Sequence, residues 1–327
     1  MFNNACLVLP RFSILVFKYN EIMTKVLRII NRFNLGGPTF NAALLTRYLD
    51  DEFETLLIGG VPDEGETDSL HILDKYNVTP IVIPELIRNP NPISDRKAYR
   101  KIKSIIMDFQ PDIVHTHASK AGVLGRKAAI SCGVKVIVHT YHGHVFHSYF
   151  GWVKTQLIKS LERSLANKST GIVAISNLQK EELVNTHRIC KEDKVKVIPL
   201  GFDLSDFLED DTSKREAIQK EYQMEENDVA IAIVGRLAPI KNHSFFLAVV
   251  ERLLEGGVNN IKVFIVGDGS ERSQVEKKAN EINLKYGQKI VLTSWIFDIA
   301  TFNKGMDVMC LTSDNEGTPV SLIEAQA

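Results

Sequence analysis

Short apolar runs alternate along this chain with longer stretches whose apolar positions recur at helical spacing. Lys25–Ile30 predicts a first strand. Residues 33–49 (FNLGGPTFNAALLTRYL) predict a turn through Gly36, Gly37 and Pro38 that opens into a helix. Thr55–Ile58 and Pro80–Ile83 predict the next strands, and 94–109 a helix capped by Ser94. Asp112–His115 predicts a buried strand, Ala121–Cys132 a helix and Lys135–Thr140 a strand. A helix over about 150–167, a strand Gly171–Ile175, a short helix Asn177–Asn185 and a strand Val195–Ile198 follow. Residues 199–211 (PLGFDLSDFLEDD) interrupt this rhythm with Pro, Gly and acids and predict a linker. Alternation then restarts. Strands are expected at Val229–Val234, Lys262–Val266, Ile290–Leu292 and Asp307–Leu311, and helices at Ser244–Glu255 and Glu271–Leu284.

Strands that alternate with helices imply parallel sheets covered on both faces. The fold class expected is therefore α/β, with two doubly wound, Rossmann-like domains. Their predicted bounds are 23–201 and 202–327, preceded by an extension over 1–22. Charge divides at the same place. Residues 23–201 hold 24 Lys and Arg against 18 Asp and Glu, whereas 202–327 hold 13 against 21. Two domains with different partners explain that asymmetry better than one. The segment 5–17 (ACLVLPRFSILVF) is broken by Pro10 and Arg11 and fits a secretory signal poorly, so Met23 is the expected natural start. The chain stops at Ala327 inside a predicted helix, so the second domain is expected to be incomplete.

With 327 residues and a net charge of −1, the composition is that of a soluble globular protein. Its overall balance gives no reason to expect nucleic acid as a partner. No run of 18 apolar residues predicts a membrane span. Four scattered cysteines without C-x-x-C spacing fit buried thiols in a reducing compartment, the cytoplasm. Five basic residues on the predicted helix at 94–109 (Arg96, Lys97, Arg100, Lys101 and Lys103) fit either a solvated face or contact with an anionic membrane surface.

The candidate chemistry gathers at predicted strand ends. In 313–327 (SDNEGTPVSLIEAQA), Thr318 suits an N-cap and Pro319 the first helical position. Glu316 and Gly317 then fall on a loop, and Glu324 lies about a turn and a half into a helix. Two carboxylates and a helix N-terminus suit a ligand carrying hydroxyls and phosphate, as a sugar nucleotide does. Taken alone, two solvated glutamates satisfy the same spacing. The loop 235–243 (GRLAPIKNH) places Arg236 and Lys241 after a strand, where two fixed cations suit a diphosphate. Gly36 and Gly37, and the later turn through Gly267, allow close backbone approach to a ligand. Trp295 reads as core, and Ile296 offers apolar surface beside a base. Six of the nine histidines lie between 115 and 147. His115 and His139 read as structural. His142 and His144 fall on a loop at a strand's carboxyl end and are assigned to the cleft. No metal-ligand spacing is present, so no metal or other cofactor is expected.

Together these stretches resemble the retaining glycosyltransferases of family 4, across about 23–327. That resemblance implies the GT-B fold, in which two Rossmann-like domains face each other across a cleft. It also implies a UDP- or GDP-linked sugar donor and a saccharide or lipid-linked acceptor, in surface polysaccharide or glycolipid synthesis. It assigns Glu316 to donor-sugar hydroxyls, Glu324 to the ribose, Arg236 and Lys241 to the diphosphate, and Gly36 and Gly37 to the same phosphates. Gly317, Thr318 and Gly267 belong to that binding set, Ile296 to the base, and His142, with His144 beside it, to the sugar or acceptor. Ser294 stands where the family often has Gly. The alternatives are a sugar-nucleotide epimerase of the same fold and a non-catalytic binder of sugar nucleotides. A glycoside hydrolase using the two glutamates has no use for the cationic loop.

Overall fold

The computed structural model describes residues 23–63, 66–143, 151–208 and 212–327; the extension 1–22 and His144 lie outside the described residues. Seven strands form the first sheet: β1 (Thr24–Ile29), β2 (Phe53–Gly59), β3 (Ile81–Val82), β4 (Ile113–His117), β5 (Val136–Tyr141), β6 (Gly171–Ala174) and β7 (Val195–Val197). Four form the second: β8 (Val229–Val234), β9 (Ile261–Val266), β10 (Ile290–Thr293) and β11 (Val308–Cys310). All pairings between them are parallel. Every strand expected from the sequence is present, with ends shifted by a residue or two. The second sheet is rich in apolar side chains because helices cover its faces, whereas the central strands of the first also bury Arg28, Thr116, His117, His139 and Thr140. Leu27 and Ile29 of β1, and Val263 and Ile265 of β9, are fully buried.

The strand orders are β3-β2-β1-β4-β5-β6-β7 and β10-β9-β8-β11. Each sheet begins in its middle and winds outward in both directions. The winding reverses between β1 and β4 in the first sheet and between β8 and β11 in the second. At such a reversal the loops diverge to opposite faces and leave a crevice outside the carboxyl ends of the strands. These two crevices carry the site.

Some local expectations are corrected. The helix expected at 94–109 spans Pro92–Phe109. Its cap is Asn91, whose side chain accepts from the Ile93 and Ser94 amides, with Pro92 at the first helical position. The expected linker holds a short helix, Ser205–Leu208. Helices Leu70–Lys75, Thr212–Glu221 and Ile299–Lys304 had no sequence signal. Two are only six residues long, and the polar third is seated largely by buried Ile218. Trp295, expected in the core, is only half-buried and joins none of the buried clusters.

The connection between the sheets is braced from the first domain. The Tyr48 hydroxyl donates to Asp203 at 3.2 Å, and Lys75 pairs with Asp206. The His71 ring meets Phe297 of the second domain edge-on at 5.0 Å.

Candidate active site

The loops after β8 and β11 are tied together at the second crevice. The Asp314 amide donates to the Ile240 carbonyl at 2.9 Å, and the Thr312 hydroxyl lies 3.1 Å from the carbonyls of both Lys241 and Asn242. Asn242 sits in the left-handed region at φ 50°, which Asn tolerates better than most residues. Its side chain caps the helix His243–Glu255 and also donates to Asp314 at 2.9 Å. The turn behind this loop explains Gly267. At φ +139° that position favours glycine, and a Cβ there would lie 2.1 Å from the Gly235 carbonyl oxygen. The backbone of the cationic loop thus passes close to Gly267.

This framework brings Lys241 and Glu316 into direct contact as a half-buried ion pair. The Ser313 hydroxyl donates to the same Glu316 oxygen, Oε1, at 2.6 Å. Among the described residues Oε2 accepts from no side chain, and the three-donor ammonium of Lys241 keeps capacity beyond Glu316. Arg236 is exposed at the start of the same loop. Thr318 makes no capping bond. Pro319 is the N-cap instead, because its ψ of 72° keeps it outside the helix while its carbonyl accepts from the Leu322 and Ile323 amides. Glu324 is the fifth residue of the helix Val320–Gln326, and burial pushes its carboxyl up to about 7. Ile296 packs half-buried against the cluster containing Phe264 and Phe302.

The first domain meets this loop through Ile175, with the His142 carbonyl beside it. A Cβ at position 317 would lie 2.9 Å from Ile175 Cδ1 and 3.9 Å from the His142 carbonyl oxygen. Glycine thus lets the chain beside Glu316 pass close to the first domain. His142 follows Tyr141, whose hydroxyl donates to Glu162 at 2.6 Å, and Glu162 pairs with Arg126 in the interior. Its imidazole continues a column of rings. His115 and His117 lie 4.2 Å apart by centroid, and His117 and His142 5.2 Å apart and stacked. His142 Nε2 is 2.9 Å from His117 Nδ1, which leaves Nδ1 as its ring nitrogen without a side-chain partner among the described residues. Burial lowers the imidazole of His142 to about 4, so it is neutral at physiological pH.

His115 and His139 fill the structural places expected of them. His115 Nε2 meets the Thr140 hydroxyl and His139 Nδ1 the Thr116 hydroxyl, each at 2.8 Å. Gly122 makes room for the second ring, since a Cβ there would lie 2.4 Å from it. Gly36 caps the helix Gly37–Arg47 at the end of β1, and Gly37 faces open space. Among the described residues no group of three His, Cys, Asp or Glu is placed to hold a metal ion.

Sequence reasoning missed three contributors. Asn242 carried a helix-start signal. His117 lies two residues after His115 and so shares its face of the sheet. Ala118 carried no signal. It adopts φ 61°, ψ 173°, a region that is essentially glycine-only. Its strain lies between His117 and the helix Ser119–Ser131. Ala118→Gly is expected to raise stability by about 1 kcal/mol, the released strain exceeding glycine's added entropy in the unfolded chain. An unchanged or lower urea midpoint would show that the strain is not released.

Two Rossmann-like sheets whose loop-bearing ends share one cleft define a protein of the GT-B class. The chain belongs to glycosyltransferase family 4: the family model "Glycosyltransferase Family 4" matches residues 36–206, and "Glycosyl transferases group 1" matches 214–327. It is 33% identical over 253 residues to the UDP-Gal:alpha-D-GlcNAc-diphosphoundecaprenol alpha-1,3-galactosyltransferase of Escherichia coli. That match covers 77% of this chain and 64% of the relative, so this chain spans less than two thirds of that protein's length. It is 27% identical to the capsular polysaccharide biosynthesis glycosyltransferase CapH of Staphylococcus aureus, over 93% of this chain and 79% of that protein. Among solved structures, Anabaena HepE in complex with UDP and glucose superposes with a TM-score of 0.74 at 16% identity, covering 92% of this chain and 78% of that one.

Proposed function

We propose that this chain forms the catalytic cleft of a retaining glycosyltransferase that moves a sugar from a UDP-sugar to a lipid-linked saccharide during surface polysaccharide synthesis. The observation that carries this reading is the Lys241–Glu316 pair at the crevice of the second sheet, with Gly317 against Ile175 of the first and near the His142 carbonyl. The UDP named for the HepE complex and the UDP-Gal named for the Escherichia coli relative favour uridine among the nucleotides. The diphosphoundecaprenol in the latter's name favours a lipid-linked acceptor.

In this mechanism the bond from the sugar's anomeric carbon to the β-phosphate breaks, and negative charge grows on that phosphate. Lys241 and Arg236 stabilise it. Cations held in place before the reaction need no reorganisation as the charge develops. Glu316 accepts from donor-sugar hydroxyls through Oε2 while Ser313 and Lys241 hold Oε1. Glu324 accepts from the ribose. The acceptor hydroxyl attacks from the leaving-group face and gives its proton to the departing phosphate oxygen, which retains the anomeric configuration. His142, neutral and tied to His117 through Nε2, orients sugar or acceptor through Nδ1.

The test is a thermal-shift screen of UDP-, GDP- and ADP-sugars. A UDP-sugar at a hundred times its Kd is expected to stabilise the protein by about 2.7 kcal/mol. No shift with any nucleotide sugar would overturn the reading. Release of an epimerised sugar nucleotide without acceptor would assign the cleft to the epimerase alternative instead.

A further inference from the structure

Arg28 is a cation folded into the interior of the first domain with no acid beside it. It lies on β1 and is 4% exposed. In register it stands between Leu57 of β2 and His115 of β4, neither of which carries negative charge. Among the described residues its side chain makes one hydrogen bond, donated by Nη1 to the Thr46 hydroxyl at 3.2 Å, and Nε is buried without a partner. Burial lowers its guanidinium to about 10 with no carboxylate opposing the shift, so it stays charged at neutral pH. A buried charge without a countercharge is costly. Thr46 and Leu57, two of its neighbours, both line a pocket of about 200 Å³. Thr55, Asn77 and Thr79 add two hydroxyls and an amide to that lining, and exposed Arg47 adds a second cation. Among the described residues no Asp or Glu lines the pocket, and neither arginine pairs with a carboxylate. Helix ends at its rim fold back on themselves. The Leu44 carbonyl accepts from the Tyr48 amide, and the Leu73 and Asp74 carbonyls from the Val78 and Asn77 amides, which occupies oxygens that would repel an anion.

We propose that this pocket binds a small oxyanion of the phosphate class, with Arg28 as its buried countercharge and Arg47 and the threonine hydroxyls around it. Such an ion has several acceptor oxygens and takes hydrogen bonds from hydroxyls, an amide and a guanidinium at once. A lone halide would leave most of the space to water, which fills about 30 Å³ per molecule. A polynucleotide or an acidic protein needs a row of exposed cations, and here one of the two is interior. The pocket lies away from the cleft. Thr55 is the third residue of β2 and Thr79 comes just before β3, so its walls stand at the amino ends of these strands. Lys241 and Glu316 belong to the crevice outside the carboxyl ends. The inference rests on Arg28 and its surroundings and needs no transfer activity.

The experiment is thermal denaturation of the whole protein in inorganic phosphate and in glycerol phosphate, each against chloride at equal ionic strength. Phosphate is expected to raise the melting temperature along a saturating curve. Free phosphate and a phosphate carried on a small metabolite share this chemistry, and the two arms separate them by which binds more tightly. Lys241→Ala, which removes a cation of the cleft, should keep the rise. Arg28→Met replaces the unpaired charge with an apolar stem and should weaken phosphate binding roughly tenfold or more. Arg47→Ala changes an exposed position, so it keeps the test decisive should Arg28→Met fail to fold. It should weaken phosphate binding about two- to fivefold. No rise over chloride with either phosphate would overturn the proposal. So would a rise that Lys241→Ala abolishes while Arg28→Met and Arg47→Ala keep it, because the ion would then sit in the cleft. The UDP-sugar shift should be equal in the parent and in Arg28→Met. A phosphate rise without any UDP-sugar shift would leave this site standing and remove the transfer reading, and the converse would do the reverse.

Discussion

Lys241→Ala is expected to lower kcat for sugar transfer by roughly a hundred- to a thousandfold, or about 3–4 kcal/mol of transition-state stabilisation. The Lys241 ammonium is the cation that the structure places beside Glu316, on a loop sewn to the β11 loop by Asn242, Thr312 and Asp314. Charge on the leaving phosphate is greatest in the transition state, so its loss should fall more on kcat than on KM. Lys241→Arg should recover little. The lysine stem runs within about 4 Å of the space beside Gly235, and a planar fork needs a different approach from a point charge. Glu316→Gln separates the two roles. The amide keeps an oxygen for Ser313 but loses the charge that holds Lys241. Steady-state rates with a UDP-sugar and a lipid-linked acceptor provide the measurement. Unchanged turnover in both Lys241→Ala and Arg236→Ala would rule out the phosphate role.

Mild acid should destabilise this protein well above the pH at which carboxylates titrate. Burial holds His115 at about 3 and His142 at about 4, and keeps His117 and His139 well below the ordinary imidazole range. In the unfolded chain each titrates near 6.5. Their folded values are depressed, so the unfolded state binds more protons as pH falls. The stability they contribute is complete above about 6.5 and is lost toward the folded values. From pH 7 to 5.5 the four together lose about 5 kcal/mol. Glu324 works the other way. Its folded value is raised to about 7, so its stabilising contribution is present below its unfolded value and lost as pH rises. It returns about 1–2 kcal/mol over the same interval. For the histidine column and Glu324 a net loss of about 3 kcal/mol remains, and His243, lowered to about 4 by burial, adds about 1 kcal/mol to it, a sizeable part of a typical folding free energy of about 5–15 kcal/mol. Urea melts at the two pH values test this. Equal midpoints would show that the histidine column is not closed to protons.

The strands were legible because most are short apolar runs set between turn residues, a pattern that survives any arrangement of the sheets. Lys241 and Glu316 were legible as candidates because both follow such runs. Their contact was not, since 75 residues separate them in sequence. The same holds for His117 and His142, 25 residues apart and joined only because β4 and β5 are neighbours in register. Gly267 adds a further case: its sequence suggested close backbone approach, and only the tertiary structure showed that a Cβ there would meet the Gly235 carbonyl oxygen.

Order and periodicity of apolar residues thus determined two parallel α/β halves and which loops stand at strand ends, because these follow from local burial and hydrogen-bonding needs. Only the tertiary structure decided that Glu316 is held by Lys241 and Ser313, and that Gly317 lies against Ile175 and near the His142 carbonyl. Strand order and domain contact set those distances, and neither is written in the local spacing of any one segment.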